Sequence, residues 1–263
     1  MAAKKKTSKA LSVDWRKELA AKASKMSAKG RIKAAGGEYI STKGGKFSIG
    51  DRIIGDSFPA VVIGAVYENS WFDSKFVEGE PSCPACFAIA YDEEDLAPHP
   101  DSPVPQAETC EECEKNQWGS SEEGRGKACG NRFRLAVVHG DDTKANASEI
   151  EVKGLRLAPT SINNFRSYVA ELEARGDLEL VQAACNIYFD PESKQAVPPI
   201  LFEFMNEITS DKALNALVSK WPDAEKLLEQ PYDKANYKPP GRARGKKKTT
   251  KKKTSKKRAS KFS

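Results

Sequence analysis

Two short cysteine pairs carry the most specific chemistry in the chain, Cys83-x2-Cys86 and Cys110-x2-Cys113. At that spacing one backbone turn presents two thiolates to a single tetrahedral ion, so the four read as a zinc ribbon with 23 residues between the pairs. Cys129 stands 16 positions beyond Cys113 next to a glycine-rich turn, and His99 falls inside the same stretch, which leaves six candidates for four places. The bland alternative for any one of these cysteines is an inert buried thiol, and for His99, flanked by Pro98 and Pro100, a plain loop residue. Cysteine-rich ligation points to a structural ion, because catalytic zinc keeps an open position beside an acid/base group. Glu111 and Glu112 are near in sequence, but His99 and His139 are the only histidines, and neither a Walker-type phosphate loop nor a nucleophile elbow occurs. The acidic run Asp92 to Asp95 reads as a solvated loop more readily than as a hard-cation site. The expectation is structural Zn2+ in a protein that is not an enzyme.

Such cysteines need elements on either side to hold them. The segment from Glu93 to Gly130 is polar and turn-rich, so a metal cross-link is the natural way to order it. The run "CFAIAYD" enters it and "NRFRLAVVHG" leaves it, both with the composition of strands. Upstream, "FSIGDRI" and "AVVIGAVYE" (Ala60 to Glu68) are β-branched runs bounded by Gly, Asp and Pro. Downstream, "TSINNFRSYVAELEARG" is the clearest helix: Thr160 or Ser161 caps it, Ile162, Phe165, Val169 and Leu172 recur at helical spacing, and Gly176 ends it. "LELVQAACNIYFD" then places Val181, Ala183, Cys185, Ile187 and Phe189 on one face at period two, and "AVPPILFEF" returns as its partner after the turn "DPESK". Ser210 caps a helix through Lys220, a short one follows to about Gln230, and Ser12 caps a weak one from Val13 to about Lys29.

This pattern predicts a β-rich α+β fold: an OB-like barrel with a zinc-binding insertion, flanking helices and disordered basic termini. The expected divisions are a basic N-terminal segment (1–37), the OB-like domain (38–208) with its insertion at about 83–130, C-terminal helices (209–238) and a basic tail (239–263).

Charge separates the chain further. Residues 1–33 carry 11 Lys/Arg against Asp14 and Glu18, and residues 241–263 carry 12 with no acid. The intervening residues hold 20 basic and 35 acidic groups, so an acidic body has two basic ends. The tail has almost no apolar content to repay its ordering entropy, and its charge density suits phosphate polymers through counterion release. Its bland readings are a solubility tail, a localisation signal or an arm folded on the body. No apolar run approaches 18 residues, which excludes a membrane partner through a spanning helix. No apolar stretch follows "MAAKKKTSKALSV", so a secretory leader is not expected, and clustered cysteines in a reducing compartment favour metal over disulfides.

Within the body, Arg125, Lys127, Arg132 and Arg134 cluster around the last cysteine, and Lys43, Lys46 and Arg52 form a second basic group beside Phe47. "YENSWFDSKF" adds Trp71, Phe72 and Phe76 in polar surroundings, the composition of a base-stacking platform, with core packing an even alternative for Trp71. Trp118, inside the cysteine loop, is expected to pack over the zinc.

The blocks "YISTKGGKF", "AVYENSWFD", "CFAIAYDEEDLAPHPDSPVPQ" and "CEECEKNQWGSSEEGRGKACGNRFRLAV" resemble a family of largely uncharacterised bacteriophage proteins carried in replication gene neighbourhoods. The likeness spans roughly residues 38 to 205, and its most specific part is the N-x-W-G-S … G-R-G-K-A-C block. It implies Cys86, Cys110, Cys113 and Cys129 as the metal ligands, exchanging Cys83 for Cys129, with His99 matching a histidine often present in the family. The plan is similar to that of the single-stranded DNA-binding proteins of T-even phages, which hold a Cys/His-liganded zinc in an OB-type barrel; this is an analogy of architecture, not of residues. The resemblance implies a single-stranded DNA-binding protein of phage replication or recombination, acting in the cytoplasm of an infected bacterial host. The rival expectation is a zinc-stabilised interaction scaffold or regulator docking on a polymerase or other replication, transcription or host protein, and a third is a double-strand-binding regulator.

Overall fold

One long strand organises the chain. The computed structural model describes residues 39–74, 82–122, 124–141 and 148–240; the N-terminal segment with its expected helix, Phe76 and the basic tail lie outside them. The strands are β1 (Tyr39–Ile40), β2 (Phe47–Ile49), β3 (Arg52–Gly55), β4 (Ser57–Trp71), β5 (Cys86–Ala90), β6 (Gly130–His139), β7 (Val152–Leu157), β8 (Ala183–Phe189) and β9 (Ile200–Glu207). The helices are α1 (Ile162–Ala174), α2 (Asp211–Val218) and α3 (Trp221–Leu228). Seven strands form a mixed sheet in the order β1-β7-β6-β4-β8-β9, with β5 also paired to β4; β1 runs parallel to β7 and the other pairs are antiparallel.

The expected barrel is not formed. Among the described strands the edges β1 and β9 do not pair with each other, and the sheet is open. The reason lies in β4, where Ala60 to Ile63 are all buried, so both faces of the strand are covered. On one face Phe58, Leu135, Leu155 and Ile187 pack against Phe165, Tyr168 and Leu172 of α1. On the other, Val61, Val66, Ala136 and Val138 meet Leu217 of α2 and Ala224 and Leu228 of α3. Helices on two faces bury what closure into a barrel would otherwise bury. The result is a β-rich α+β protein in three layers.

Local chemistry explains the remaining differences from expectation. "FSIGDRI" is a hairpin rather than one strand, because Gly50 takes φ +56° and reverses the chain. Ser161 precedes α1 but spends its Oγ accepting from the Ile200 N–H at 2.9 Å. It ties β9 to the helix instead of capping it. Ser210 does cap α2, accepting from the Ala213 N–H. On β8 the expected period-two face is buried at Ala183, Cys185, Ile187 and Phe189, while Val181 falls in a 3-10 turn. The short strand β7 escaped the sequence pattern. A Cβ on its Gly154 would stand 2.4 Å from Tyr39 Cε1, so a bare backbone there lets β1 lie close.

Candidate metal centre and the adjoining groove

The C-terminal end of β4 gathers the cysteines. Cys86 begins β5 opposite Trp71, and Cys129 immediately precedes β6, whose Gly130 pairs with Ser70. Cys110 and Cys113 come from the long β5–β6 connection, pinned by the Cys110 N–H to Leu96 O at 2.9 Å and the Asn116 N–H to Cys113 O at 2.9 Å. The Cys129 N–H donates to Lys115 O at 2.8 Å and draws the last cysteine to the same turn. All four line one cavity of about 10 Å³, with Asn69 and Trp71 in its wall. That is room for about one water-sized sphere.

The electrostatics agree with this grouping. Burial first, and then the neighbouring Cys110, Cys113 and Cys86, push the Cys129 thiol up to about 12. Burial likewise raises Cys110 and Cys86, each with a contribution from neighbouring cysteines of the set. Cys83 stands apart: it is buried, its thiol is raised by burial and then by Asp233, and it lies outside the cavity lining. His99 stacks on Phe87 at 4.9 Å, and its Nδ1 accepts from the Asp101 N–H at 3.0 Å. The structure therefore brings together Cys86, Cys110, Cys113 and Cys129, and leaves Cys83 and His99 outside.

Whether these residues fit a zinc ion is a matter of donors and distances. Four bonds of about 2.3 Å at tetrahedral angles set sulfurs roughly 3.8 Å apart. Among the described residues no group of three or more His, Cys, Asp or Glu side chains is already gathered as a formed metal cage. At Cys86, Cys110 and Cys129 burial and the neighbouring sulfurs favour the protonated thiol, and a few nearby donors oppose them. Backbone N–H groups of Gln106 and Ser70 favour the charged forms of Cys86 and Cys129. Asn69, 3% exposed, has a buried Nδ2 with no hydrogen-bond partner, and it lines the same cavity as Cys110. Donors aimed at sulfur are what a metal–thiolate site needs around it. Zinc held here would fasten the β5–β6 connection to the end of the sheet.

The expected nucleic-acid residues fall in three places. Arg125 is exposed on the glycine-rich turn, Lys127 donates to Asn116 Oδ1 at 3.2 Å, and Arg132 donates to Ser70 Oγ at 3.3 Å, all beside the cysteines. Arg134 is a correction: it is fully buried, bonded through Nε to Glu68 Oε2 at 2.7 Å, and cannot reach a ligand. Its Nη1 donates to the carbonyls of Leu228 at 2.9 Å and Gln230 at 2.7 Å, completing the negative end of α3. Arg156 Nε at 3.2 Å and the Tyr232 hydroxyl at 2.5 Å complete the Glu68 shell. Burial alone would raise the Glu68 pKa, but Arg156, Arg134 and Tyr232 together hold it below the ordinary carboxylate value.

Lys43, Lys46 and Arg52 are exposed around the β2–β3 hairpin at the opposite end of β4. There Arg52, Phe58 and His139 border a separate cavity of about 190 Å³. From Phe58 to Asn69 the strand covers roughly 35 Å at about 3.3 Å per residue, so the two basic groups do not share one groove.

The aromatic residues exchange roles. Trp71 is half-buried in the cysteine cavity wall with Lys115 Nζ 5.2 Å from its ring centroid, and Phe72 beside it is exposed. Trp118 does not cover the cysteines but is 82% exposed. Gly119 at φ +86° and Gly126 at φ +82° shape the turn around it. The Gly119 N–H donates to Gly126 O at 2.8 Å and closes this turn. Trp118 borders a groove of about 510 Å³ with Tyr67, Lys127, Arg132 and Arg166, between the cysteine loop and the start of α1. Arg166 pairs with Glu93 at 2.5 Å. Sequence reasoning missed Asn69, Asn131 and Arg166, whose types alone carry no signal. Comparison with known proteins finds no matching family model, no matching curated protein and no matching solved structure.

Proposed function

We propose that the protein is a non-enzymatic, zinc-stabilised binder of single-stranded nucleic acid, with single-stranded DNA of phage replication or recombination as its ligand. Trp118 carries the reading. A tryptophan left 82% exposed on a closed turn, beside Arg125, Lys127 and Arg132, offers a stacking face for a base and cations for its phosphates. The zinc would be structural, held by Cys86, Cys110, Cys113 and Cys129, and its part is to hold that turn in place. The basic tail adds sequence-independent attraction, and an acidic body confines binding to places where cations cluster.

Fluorescence anisotropy with labelled single- and double-stranded probes of equal length, with and without residues 241–263, tests this. Submicromolar, salt-sensitive binding that favours the single strand is expected, with a shallower salt slope without the tail. Trp118→Ala removes the stacking face and is expected to weaken single-strand binding by about 1–3 kcal/mol, roughly 5- to 150-fold. Equal affinity of the two proteins for the single strand would remove the proposed site. An adjoining pocket lined by Glu93, Glu94 and Glu111 favours a second reading, a scaffold that docks on a polymerase or host protein through this acidic rim. A stoichiometric protein partner that survives nuclease treatment, together with indifference to every oligonucleotide, is the outcome that selects it.

A further inference from the structure

At the end of β4 remote from the cysteines, the β2–β3 hairpin packs on the main sheet through Ile49 and Ile54 but leaves a cavity of about 190 Å³ beside them. The period of two decides what lines it. Arg52 and Ile54 of β3 do, while Ile53 between them is 64% exposed. Val137 and His139 of β6 share one side of their strand in the same way, as do Lys153 of β7 and Glu151 just before it. The floor is apolar, made by Ile40, Ile49, Ile54, Phe58 and Val137. Phe47 fastens the base of the hairpin, buried with its ring 4.9 Å from Phe58 and 4.3 Å from Phe189. The charges at the rim are not equivalent. The Asp141 and Glu151 side chains are 88% and 71% exposed, so water screens them, and Glu151 is paired with Lys153 at 2.9 Å. His139 stacks on Phe58 at 5.9 Å and its Nδ1 accepts from the Asp141 N–H at 3.3 Å, which leaves the imidazole proton on Nε2. Arg52 lines the cavity, and among the described residues no carboxylate pairs with it.

We infer that this cavity binds a small amphipathic carboxylate, its apolar body on the isoleucine floor and its carboxylate on Arg52. A mainly apolar pocket with a few convergent polar groups is the make-up of a small-molecule site. An apolar cavity of about 150 Å³ accepts benzene, so this one has room for a single ring or a short branched chain. The charged end stays at the rim, because taking it to the floor would cost its hydration with no polar partner in exchange. There a guanidinium meets a carboxylate through two parallel hydrogen bonds, which an ammonium ligand cannot form. The site stands at the opposite end of β4 from the cysteines and the Trp118 groove, so it depends neither on zinc nor on a nucleic-acid strand.

The test titrates the full chain with three probes and reads amide chemical shifts in nitrogen-labelled protein. Phenylacetate has both the ring and the carboxylate, phenethylamine has the ring with the opposite charge, and acetate has the carboxylate without the ring. Phenylacetate is expected to move the amides of Ile49 to Gly55 and of His139 saturably, with a Kd below about 1 mM. Phenethylamine and acetate are each expected to bind at least about tenfold more weakly, the first for want of the guanidinium contact and the second for want of the floor. Arg52→Gln changes an exposed side chain and is expected to weaken phenylacetate about tenfold while leaving the melting temperature unchanged. Any one of three results overturns the inference. They are no saturable shift up to about 10 mM phenylacetate, equal affinity for phenylacetate and phenethylamine, and an Arg52→Gln protein that binds phenylacetate as the wild type does.

Discussion

On the zinc reading proposed above, a strong chelator is expected to release one zinc per chain and open the Leu96–Ala128 connection to protease, while β4, β6 and β7 stay folded. The asymmetry follows from where the apolar residues are. Val61, Leu135, Leu155 and the helices that cover them pack without help from the cysteines, whereas the connection contributes few residues to any core, Leu96 and Cys110 packing on Ala88 among them. Cross-links matter most where burial is least able to order the chain. Cys110→Ser, Cys113→Ser and Cys129→Ser should each lose the metal and show the same proteolytic opening. Cys83→Ser should keep it, because Cys83 faces Asp233 and Lys234 rather than the other thiols. Zinc content and limited proteolysis of the four variants check this, and a Cys83 variant empty of zinc beside a loaded Cys129 variant would restore the ligand set read from spacing alone.

The second large effect lies in the core. Arg134→Ala will destabilise the protein by about 3–5 kcal/mol, because it leaves the buried carboxylate of Glu68 without one of its partners and strips the last carbonyls of α3 of their donor. Urea midpoints for wild type and variant measure it. The same cluster sets a pH dependence. Glu68 has a folded-state pKa below its unfolded value, so its contribution to stability is fully present above the unfolded value of about 4.3 and is lost as pH falls through the lower, folded value. Stability profiles of wild type and Glu68→Gln should therefore draw together as the pH falls below the unfolded value of about 4.3 and meet only below the lower, folded one. Parallel profiles would show that the carboxylate is not held by its two guanidinium partners.

Periodicity makes β8 and α1 legible, because each has a side that must be buried and a spacing that declares which side, whereas β6, buried on both faces from Phe133 to Val138, is legible from its composition. The barrel is not legible in the same way: strand content is alike for an open sheet and a closed one, and only the helices packed on both faces of β4 decide between them. β7 is hidden by its composition, since Lys153, Gly154 and Arg156 interrupt the apolar pattern while Arg156 serves Glu68 and Gly154 admits Tyr39. Spacing misleads at Cys83. The residues from Ser82 to Pro84 form no turn, so Cys83 and Cys86 do not sit on one knuckle, whereas Cys113 is followed by a 3-10 turn. The spacing of the two short pairs does not select Cys129, which the fold brings to the same cavity as Cys86, Cys110 and Cys113. Arg134 reads as one more cation in a basic run until the register places Glu68 and the end of α3 beside it. Trp118 reads as a lid until the positive-φ glycines around it are seen to leave the ring outside.

Strand β4 has one further property. Its edge facing β8 and β5 is paired from Ser57 to Val61 and again from Tyr67 to Trp71, so Val62 to Val66 have a ladder partner only in β6. The register shift between Val62 and Gly64 falls in that gap, with Trp221 and Leu228 packed over the glycine. In amide hydrogen exchange, the centre of the longest strand will therefore exchange faster than the two stretches that flank it. The gap is a seam between a hairpin-bearing half and a cysteine-bearing half of the sheet, bridged on this strand by the β6 ladder alone.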